Sequence, residues 1–142
     1  MKKSNYLIGI FIIFIDQMVK YIMIDKNYVI IPNFLKLTYT KNTGAAFGIG
    51  TNYIILAISS IIIVGIIIYM IKQYKNIINF IPYVLIISGS VGNVIDRIFR
   101  GFVIDYIDIN LFNFPNFNIA DICIVIGVFL LLIELTRNLK TT

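Results

Sequence analysis

The chain has 142 residues, of which 59% are hydrophobic and 13% charged, and its formal net charge is +5. Soluble domains are typically about 45–50% apolar and about 25% charged, so this composition predicts an integral membrane protein. Because it has no histidine and only one cysteine, Cys123, the chain cannot by itself form a Ser-His-Asp triad, a Cys-His dyad, a histidine-ligated metal site or an internal disulfide.

The first predicted element is a membrane span at residues 6–24, about the length that a helix needs to cross the hydrocarbon core. Asp16 and Lys20 lie four residues apart in it, so a helix would place them on one face. Structural pairing and a catalytic role both remain open for these two residues. Lys2 and Lys3, followed by an apolar run, resemble the start of a secretory signal peptide. No small-residue cleavage motif follows, so we expect an uncleaved span.

The polar stretch after this span, at about residues 28–50, has the pattern of a small β element. In "FLKLTYT" apolar and polar residues alternate, which is the period of a half-exposed strand. Asn42 precedes a glycine-rich run that includes Gly44, and such glycines mark turns or close backbone approach. The Asn42 amide could contact a ligand or could simply form a turn, and the pattern does not decide between them.

Three further apolar segments, at residues 53–71, 77–95 and 117–135, are long enough to span a membrane. Helices are expected because a backbone in lipid must satisfy its own hydrogen bonds, and these runs are far longer than barrel strands. The sequence therefore predicts a single four-span domain over residues 1–142.

Between the last two spans, residues 99–116 mix aromatic side chains with Asp105 and Asp108. This segment is too polar to span and has the composition of one that lies at the membrane interface.

Most of the unusual polar residues fall on one membrane face if the spans alternate in direction. Six basic residues lie in the tails and the short loop on the opposite side, against five on the polar-rich side. By the positive-inside rule we expect both termini in the cytoplasm and the polar cluster outside. The cluster contains Asp16, Lys20, Asn42, Asn93, Asp96, Arg97, Asp105, Asn118 and Asp121.

Asp105 and Asp121 are the most plausible hydrolytic pair in this cluster. Two carboxylates in a low-dielectric pocket share a proton, so one can activate water while the other protonates the substrate. A Ser-Lys dyad is the rival, since serines at positions 59, 60, 88 and 90 lie in predicted spans together with Lys20. Asp121 could also be a helix-start acid favoured by the helix dipole.

Four segments of this sequence resemble the lipoprotein signal peptidase family (signal peptidase II), which are bacterial membrane aspartic peptidases. They are "DQMVKYIM", "NTGAAFG", "GNVIDRIFRGFVIDYIDI" and "FNIADICIVIG", in that order and on successive parts of the chain. The resemblance implies four transmembrane helices with an extracytoplasmic β-cradle and a short interfacial helix. It also implies an enzyme of the bacterial cytoplasmic membrane that removes signal peptides from diacylglyceryl-modified prolipoproteins, just before the lipidated cysteine.

The resemblance assigns roles residue by residue. The family's catalytic aspartates fall on Asp105 and Asp121. Substrate binding falls on Asn42, Gly44, Asn93, Arg97 and Asn118, and structural support on Asp16, Lys20 and Asp96. The expected partners are the lipidated precursor and membrane lipid, with no nucleic acid, cofactor, metal or obligate protein partner.

A second class of function is a small transporter or channel subunit whose acids bind a cation or relay protons. It would need a polar path through the membrane, whereas the second span and the inner halves of the third and fourth carry almost no ionisable groups. A plain membrane anchor would leave the clustered acids unexplained.

Overall fold

The computed structural model describes residues 3–44, 58, 61–62, 64–69, 79–110 and 114–139. Within them the chain forms helix α1 (Lys3–Ile22), strand β1 (Asn27–Ile31), strand β2 (Leu35–Asn42), helix α2 (Ile81–Arg100), strand β3 (Val103–Ile109) and helix α3 (Ile119–Leu139). Among the described residues, α1 and α2 are long and apolar enough to cross a membrane. Most of the predicted second span, residues 53–71, lies outside the described residues, and its described positions are helical.

Helix α1 has an inverted distribution of polarity. Large apolar side chains such as Leu7, Phe11 and Phe14 are more than 60% exposed. Within Lys3–Ile22, all of which the structure describes, the buried residues are the charged Asp16 and Lys20. An exposed apolar surface around a buried ion pair is the pattern expected of a helix whose solvent is lipid.

Helix α2 begins and ends a few residues later than the predicted span at 77–95. The Asn79 side chain accepts a hydrogen bond from the backbone N–H of Ile81, and a proline follows in the first turn, where a missing N–H costs nothing. The helix ends at Gly101, whose φ of 79° is left-handed and whose N–H bonds to the carbonyl of Arg97. Asp96 and Arg97 therefore lie inside the helix rather than beyond it.

The three strands form an antiparallel sheet in the order β1-β2-β3. The first two make the hairpin predicted near residues 28–50, of which residues 45–50 lie outside the described part. Strand β3 pairs with β2, placing Asp105 beside Thr40 and Val103 beside Asn42.

Residues 99–116, the predicted interfacial segment, contain a strand in the part that the structure describes. Residues 103–109 form strand β3, and residues 114–116 are not helical. The run "VIDYIDI" is rich in β-branched residues, which favour a pleated, packed surface, and its first four residues are buried. Pairing with β2 satisfies the backbone groups that a helix would otherwise have bonded internally.

The helices pack closely where the polar cluster lies. A Cβ atom on Gly92 of α2 would come within 2.6 Å of Asp16 Oδ2 and 3.5 Å of the Ala120 side chain of α3. Glycine at this position therefore lets α1, α2 and α3 meet around the buried acid. Beside this junction, Met23, Ile104 and Tyr106 form a buried apolar cluster that joins the end of α1 to β3.

Candidate active site

Asp105 of β3 and Asp121 in the first turn of α3 are held by one residue between them, Asn118. The Asn118 Nδ2 group donates to Asp105 Oδ1 at 2.7 Å, and the Asn118 backbone N–H donates to Asp121 Oδ2 at 3.1 Å. The Asp121 backbone N–H in turn donates to Asn118 Oδ1 at 3.0 Å. Asn118, which is fully buried, therefore bonds to both carboxyl groups, to Asp105 through its side-chain amide and to Asp121 through its backbone N–H.

A second amide, that of Asn93 on α2, also donates to the pair. Asn93 Nδ2 lies 2.8 Å from Asp121 Oδ1, while Asn93 Oδ1 accepts hydrogen bonds from Lys20 Nζ at 2.9 Å and from Asn118 Nδ2 at 3.3 Å. An ammonium group can only donate, so it fixes which end of the Asn93 amide faces the Asp121 carboxylate.

Lys20 lies between two carboxylates in the interior. Its Nζ atom is 2.9 Å from Asp16 Oδ2 and 3.0 Å from Asp96 Oδ2, and all three side chains are at most 1% exposed. Arg100 pairs with the other oxygen of Asp96, so two cations face two anions. A buried group of charges is tolerated when the charges balance and their hydrogen-bonding atoms are occupied, as they are here.

This charged group also fastens the segments that carry the candidate acids. Asp96 Oδ2 accepts the backbone N–H of Ile104, the residue before Asp105, at 3.0 Å. Asp16 Oδ1 accepts the backbone N–H of Ala120, the residue before Asp121, at 3.1 Å. Asp96 and Asp16 thus each bind the backbone of the residue that precedes one of the candidate acids.

From the sheet side, Asn42 at the end of β2 reaches Asp105. Its Nδ2 donates to Asp105 Oδ2 at 2.8 Å, and its Oδ1 accepts the backbone N–H of Gly44 at 2.8 Å. Gly44 has a φ of 80°, which lets the chain turn back over the Asn42 side chain. Both oxygens of Asp105 therefore accept a hydrogen bond from an asparagine amide.

The environment of Asp105 makes its carboxyl group easier to protonate than that of an ordinary aspartate. The residue is 2% exposed, and burial raises the pKa of its carboxyl to about 6; the charge of Asp121 acts in the same direction, against the hydrogen bonds from Asn42 and Asn118. A carboxyl group with a pKa in this range can carry a proton close to neutral pH, as a general acid must.

A cavity of about 430 Å³ opens beside Asp121. Asn93, Arg97 and Asp121 line one part of it, and the apolar side chains Ile67, Ile86, Ile124, Val128 and Leu131 line most of the rest. Arg97 makes a long hydrogen bond of 3.5 Å to the carbonyl of Asn93 and lies within electrostatic range of Asp121 and Asp105. The cavity thus joins a polar site containing an acid and a cation to a largely apolar compartment.

The chain is similar to known proteins. Residues 8–137 match the model of the family "Signal peptidase (SPase) II". The chain is also 39% identical to the "Lipoprotein signal peptidase" of Staphylococcus aureus strain JH9, over 95% of this chain and 89% of that protein, and the same values hold for strain Newman. This chain belongs to the signal peptidase II family.

Solved structures extend the similarity to the fold. A bacterial membrane enzyme determined by the in meso method at 2.3 Å resolution superposes with a TM-score of 0.86 at 34% identity, covering 98% of this chain and 91% of its own. A second, determined by the same method at 1.9 Å, gives 0.83 at 36% identity, covering 93% and 92%. The resemblance recognised in the sequence is confirmed, and this member of the signal peptidase II family is an enzyme, a peptidase.

The structure brings nearly all of the residues singled out in the sequence into one hydrogen-bonded group. Arg97 is set apart, because it lines the cavity and, among the described residues, its guanidinium makes one hydrogen bond, to the Asn93 carbonyl. The rest of the "NTGAAFG" motif after Gly44 lies outside the described residues. The connected set is Asp16, Lys20, Asn42, Gly44, Asn93, Asp96, Asp105, Asn118 and Asp121.

Two further residues, Gln17 and Arg100, bond to this group but were not among the predicted site residues. Gln17 Nε2 donates to Asp16, to Asp96 and to the Gly92 carbonyl at 3.0–3.2 Å, and Gln17 Oε1 accepts from Arg100 at 2.9 Å. The i,i+4 spacing of Asp96 and Arg100 was a usable sign of their pairing. Nothing in the local sequence indicates the reach of Gln17 across to α2.

Proposed function

We propose that this peptidase removes signal peptides from diacylglyceryl-modified prolipoproteins, cutting just before the lipidated cysteine, with Asp105 and Asp121 as its catalytic pair. The observation that carries the proposal is the attachment of both carboxyl groups to Asn118, next to a cavity that is polar at the acids and apolar beyond them. The name of the Staphylococcus aureus relatives supports the same substrate class.

The two acids take different roles in the proposed reaction. Asp105, the more deeply buried, starts protonated, and Asp121, which lines the cavity, starts as the carboxylate. Asp121 accepts a proton from a water molecule as the water oxygen attacks the scissile carbonyl carbon. Asp105 donates its proton to the carbonyl oxygen, so that no free oxyanion accumulates.

Collapse of the tetrahedral intermediate completes the cycle. The proton that Asp121 has taken moves to the leaving amide nitrogen, and the bond between carbon and nitrogen breaks. A proton from the gem-diol returns to Asp105, which restores the starting state. No group on the protein needs to be acylated in this sequence of steps.

The amides around the pair act through the carboxyl groups in this proposal. Asn118 is fully buried and Asn93 is 6% exposed, and both use their amide nitrogens on the two acids. Their orientation of the carboxyl groups lowers the cost of reaching the reactive geometry. The guanidinium group of Arg97 lines the cavity and is suited to donate hydrogen bonds to a carbonyl oxygen of the substrate.

The membrane arrangement forms part of the same proposal. We place four spans across the bacterial cytoplasmic membrane, with both termini in the cytoplasm and the acids at the extracytoplasmic face. The apolar compartment lined by Ile86, Ile124 and Val128 would receive the acyl chains of the precursor. The exposed apolar surface of α1 supports a lipid environment for the helices.

The test uses purified full-length protein in detergent and two synthetic precursor peptides that differ only in the diacylglyceryl group on the cysteine. Mass spectrometry of the products gives the position of the cut. We expect cleavage just before the cysteine in the lipidated peptide and no detectable cleavage of its twin. Equal cleavage of both peptides, or a cut elsewhere, would contradict the proposed substrate.

A further inference from the structure

The hydroxyl group of Ser90 opens onto the cavity. The residue is 6% exposed and lines the cavity together with Asn93 and Asp121. Its side chain makes no hydrogen bond with any residue in the described part of the chain. No buried side-chain polar atom in the described part of the chain lacks a hydrogen-bond partner, so this unbonded hydroxyl is open to the cavity, where a ligand atom can bind it.

The neighbouring serine on the same helix behaves in the ordinary way. Ser88, which is 2% exposed, donates from its hydroxyl to the carbonyl of Val84 at 2.7 Å. This bond to the carbonyl four residues earlier is how a serine inside an apolar helix normally satisfies its hydroxyl. Ser90 has the same option with the carbonyl of Ile86 and does not use it, so its hydroxyl remains available to the cavity.

The position of Ser90 relates it to the candidate catalytic group. Ser90, Asn93 and Arg97 are spaced i, i+3 and i+7, and all three line the cavity. Along the helix axis Ser90 lies about 4.5 Å from Asn93, on the side away from Arg97, since each residue adds about 1.5 Å. Ile86, one turn beyond Ser90, begins the apolar part of the wall. Ser90 therefore stands at the boundary between the polar and apolar parts of the cavity.

We propose that the Ser90 hydroxyl donates a hydrogen bond to an ester carbonyl of the substrate's diacylglyceryl group, and so makes the enzyme prefer ester-linked lipid. This inference rests on the proposed function. In a lipidated precursor the ester carbonyls lie between the polar cysteine linkage and the apolar chains, which matches the boundary at Ser90. The path from the scissile carbonyl through the thioether and glyceryl carbons to the nearer ester carbonyl spans at most about 10 Å at ordinary bond lengths.

The experiment compares two precursor peptides that differ in one chemical feature. One has the diacylglyceryl group, and in its twin each ester carbonyl is replaced by a methylene, which gives a dialkyl ether lipid of the same length. The value of kcat/KM is measured for both peptides with the wild-type protein, with Ser90→Ala and with Ser88→Ala. The ratio of the two values for one preparation does not depend on how much of the protein is folded.

One neutral hydrogen bond to the substrate corresponds to a preference for the ester of about fivefold in the wild-type protein. Ser90→Ala should lower kcat/KM for the ester to about the value for the ether, which brings the ratio close to one. Ser88→Ala should keep the wild-type ratio, since its hydroxyl is bonded to the Val84 carbonyl.

If Ser90→Ala keeps the wild-type ratio of kcat/KM between the ester and the ether peptide, the inference is overturned and the proposed function stays in place. This result is expected if the hydroxyl binds only water or a bulk phospholipid. A wild-type ratio of one has the same meaning. Failure of the wild-type protein to cleave either peptide would instead overturn the proposed function, and this inference with it.

Discussion

Lys20 and Asn93 are joined inside the protein by a hydrogen bond of 2.9 Å from the lysine ammonium to the asparagine Oδ1 atom. This bond turns the Asn93 amide so that its nitrogen faces Asp121 at 2.8 Å. The charge balance of Lys20 with Asp16 and Asp96 is thereby linked to the orientation of a candidate catalytic acid.

Replacing Lys20 with Met should destabilise the protein strongly, because two buried carboxylates lose the cation between them. Removing one partner of a buried ion pair typically costs about 3–5 kcal/mol. Thermal unfolding in detergent measures the effect, with Lys26→Met as the matched control, since the Lys26 side chain is exposed and outside the buried group. Similar unfolding midpoints for the two variants would show that the Lys20 ion pairs contribute little.

Replacing Asn118 with Ala should lower kcat by about 100-fold through misplacement of the acids, with little change in KM. The reason is that Asn118 is fully buried and bonds to both acids, so it is not exposed to a substrate. Asn116→Ala is the control, because Asn116 bonds instead to Thr40 of β2. A rise in KM at constant kcat would mean that Asn118 contacts the substrate directly.

The rate should fall as pH rises through about 6. Burial raises the pKa of Asp105 to about 6, and the proposed mechanism needs its protonated form, so activity declines as this carboxyl ionises. Asn42 donates a hydrogen bond that favours the ionised form, so Asn42→Ala should move the decline to higher pH. The profile of kcat/KM against pH checks both statements. An increase of rate through pH 6 would instead assign Asp105 as the base.

The sequence pointed to a small set of candidate acids because its residue types leave few alternatives. Without histidine, the candidate hydrolytic devices were a pair of carboxyl groups or a Ser-Lys dyad, and the motifs around Asp105 and Asp121 favoured that pair as the hypothesis. The i,i+4 spacing of Asp16 and Lys20 predicted their ion pair, which the structure contains. Local spacing carries this information because both residues lie on one helix.

The sequence did not predict strand β3, because both faces of "VIDYIDI" are largely apolar and the usual alternation is hidden. Asp96 could be interpreted only as support, since its hydrogen bond to the Ile104 backbone depends on β3 folding back against α2. The bridging position of Asn118 also results from this tertiary approach. Contacts between distant segments leave no periodic signal in one sequence.

We propose that Asp105 and Asp121 together carry out the hydrolysis. The most direct measurement is the cleavage rate of a diacylglyceryl-modified precursor by Asp105→Asn and by Asp121→Asn, which keep the size of each side chain and remove its acid-base function. We expect each rate to fall by at least about 1,000-fold while both variants remain folded, and Asp108→Asn, on the same strand as Asp105, to cleave at close to the wild-type rate. Wild-type cleavage by either folded variant would contradict the account.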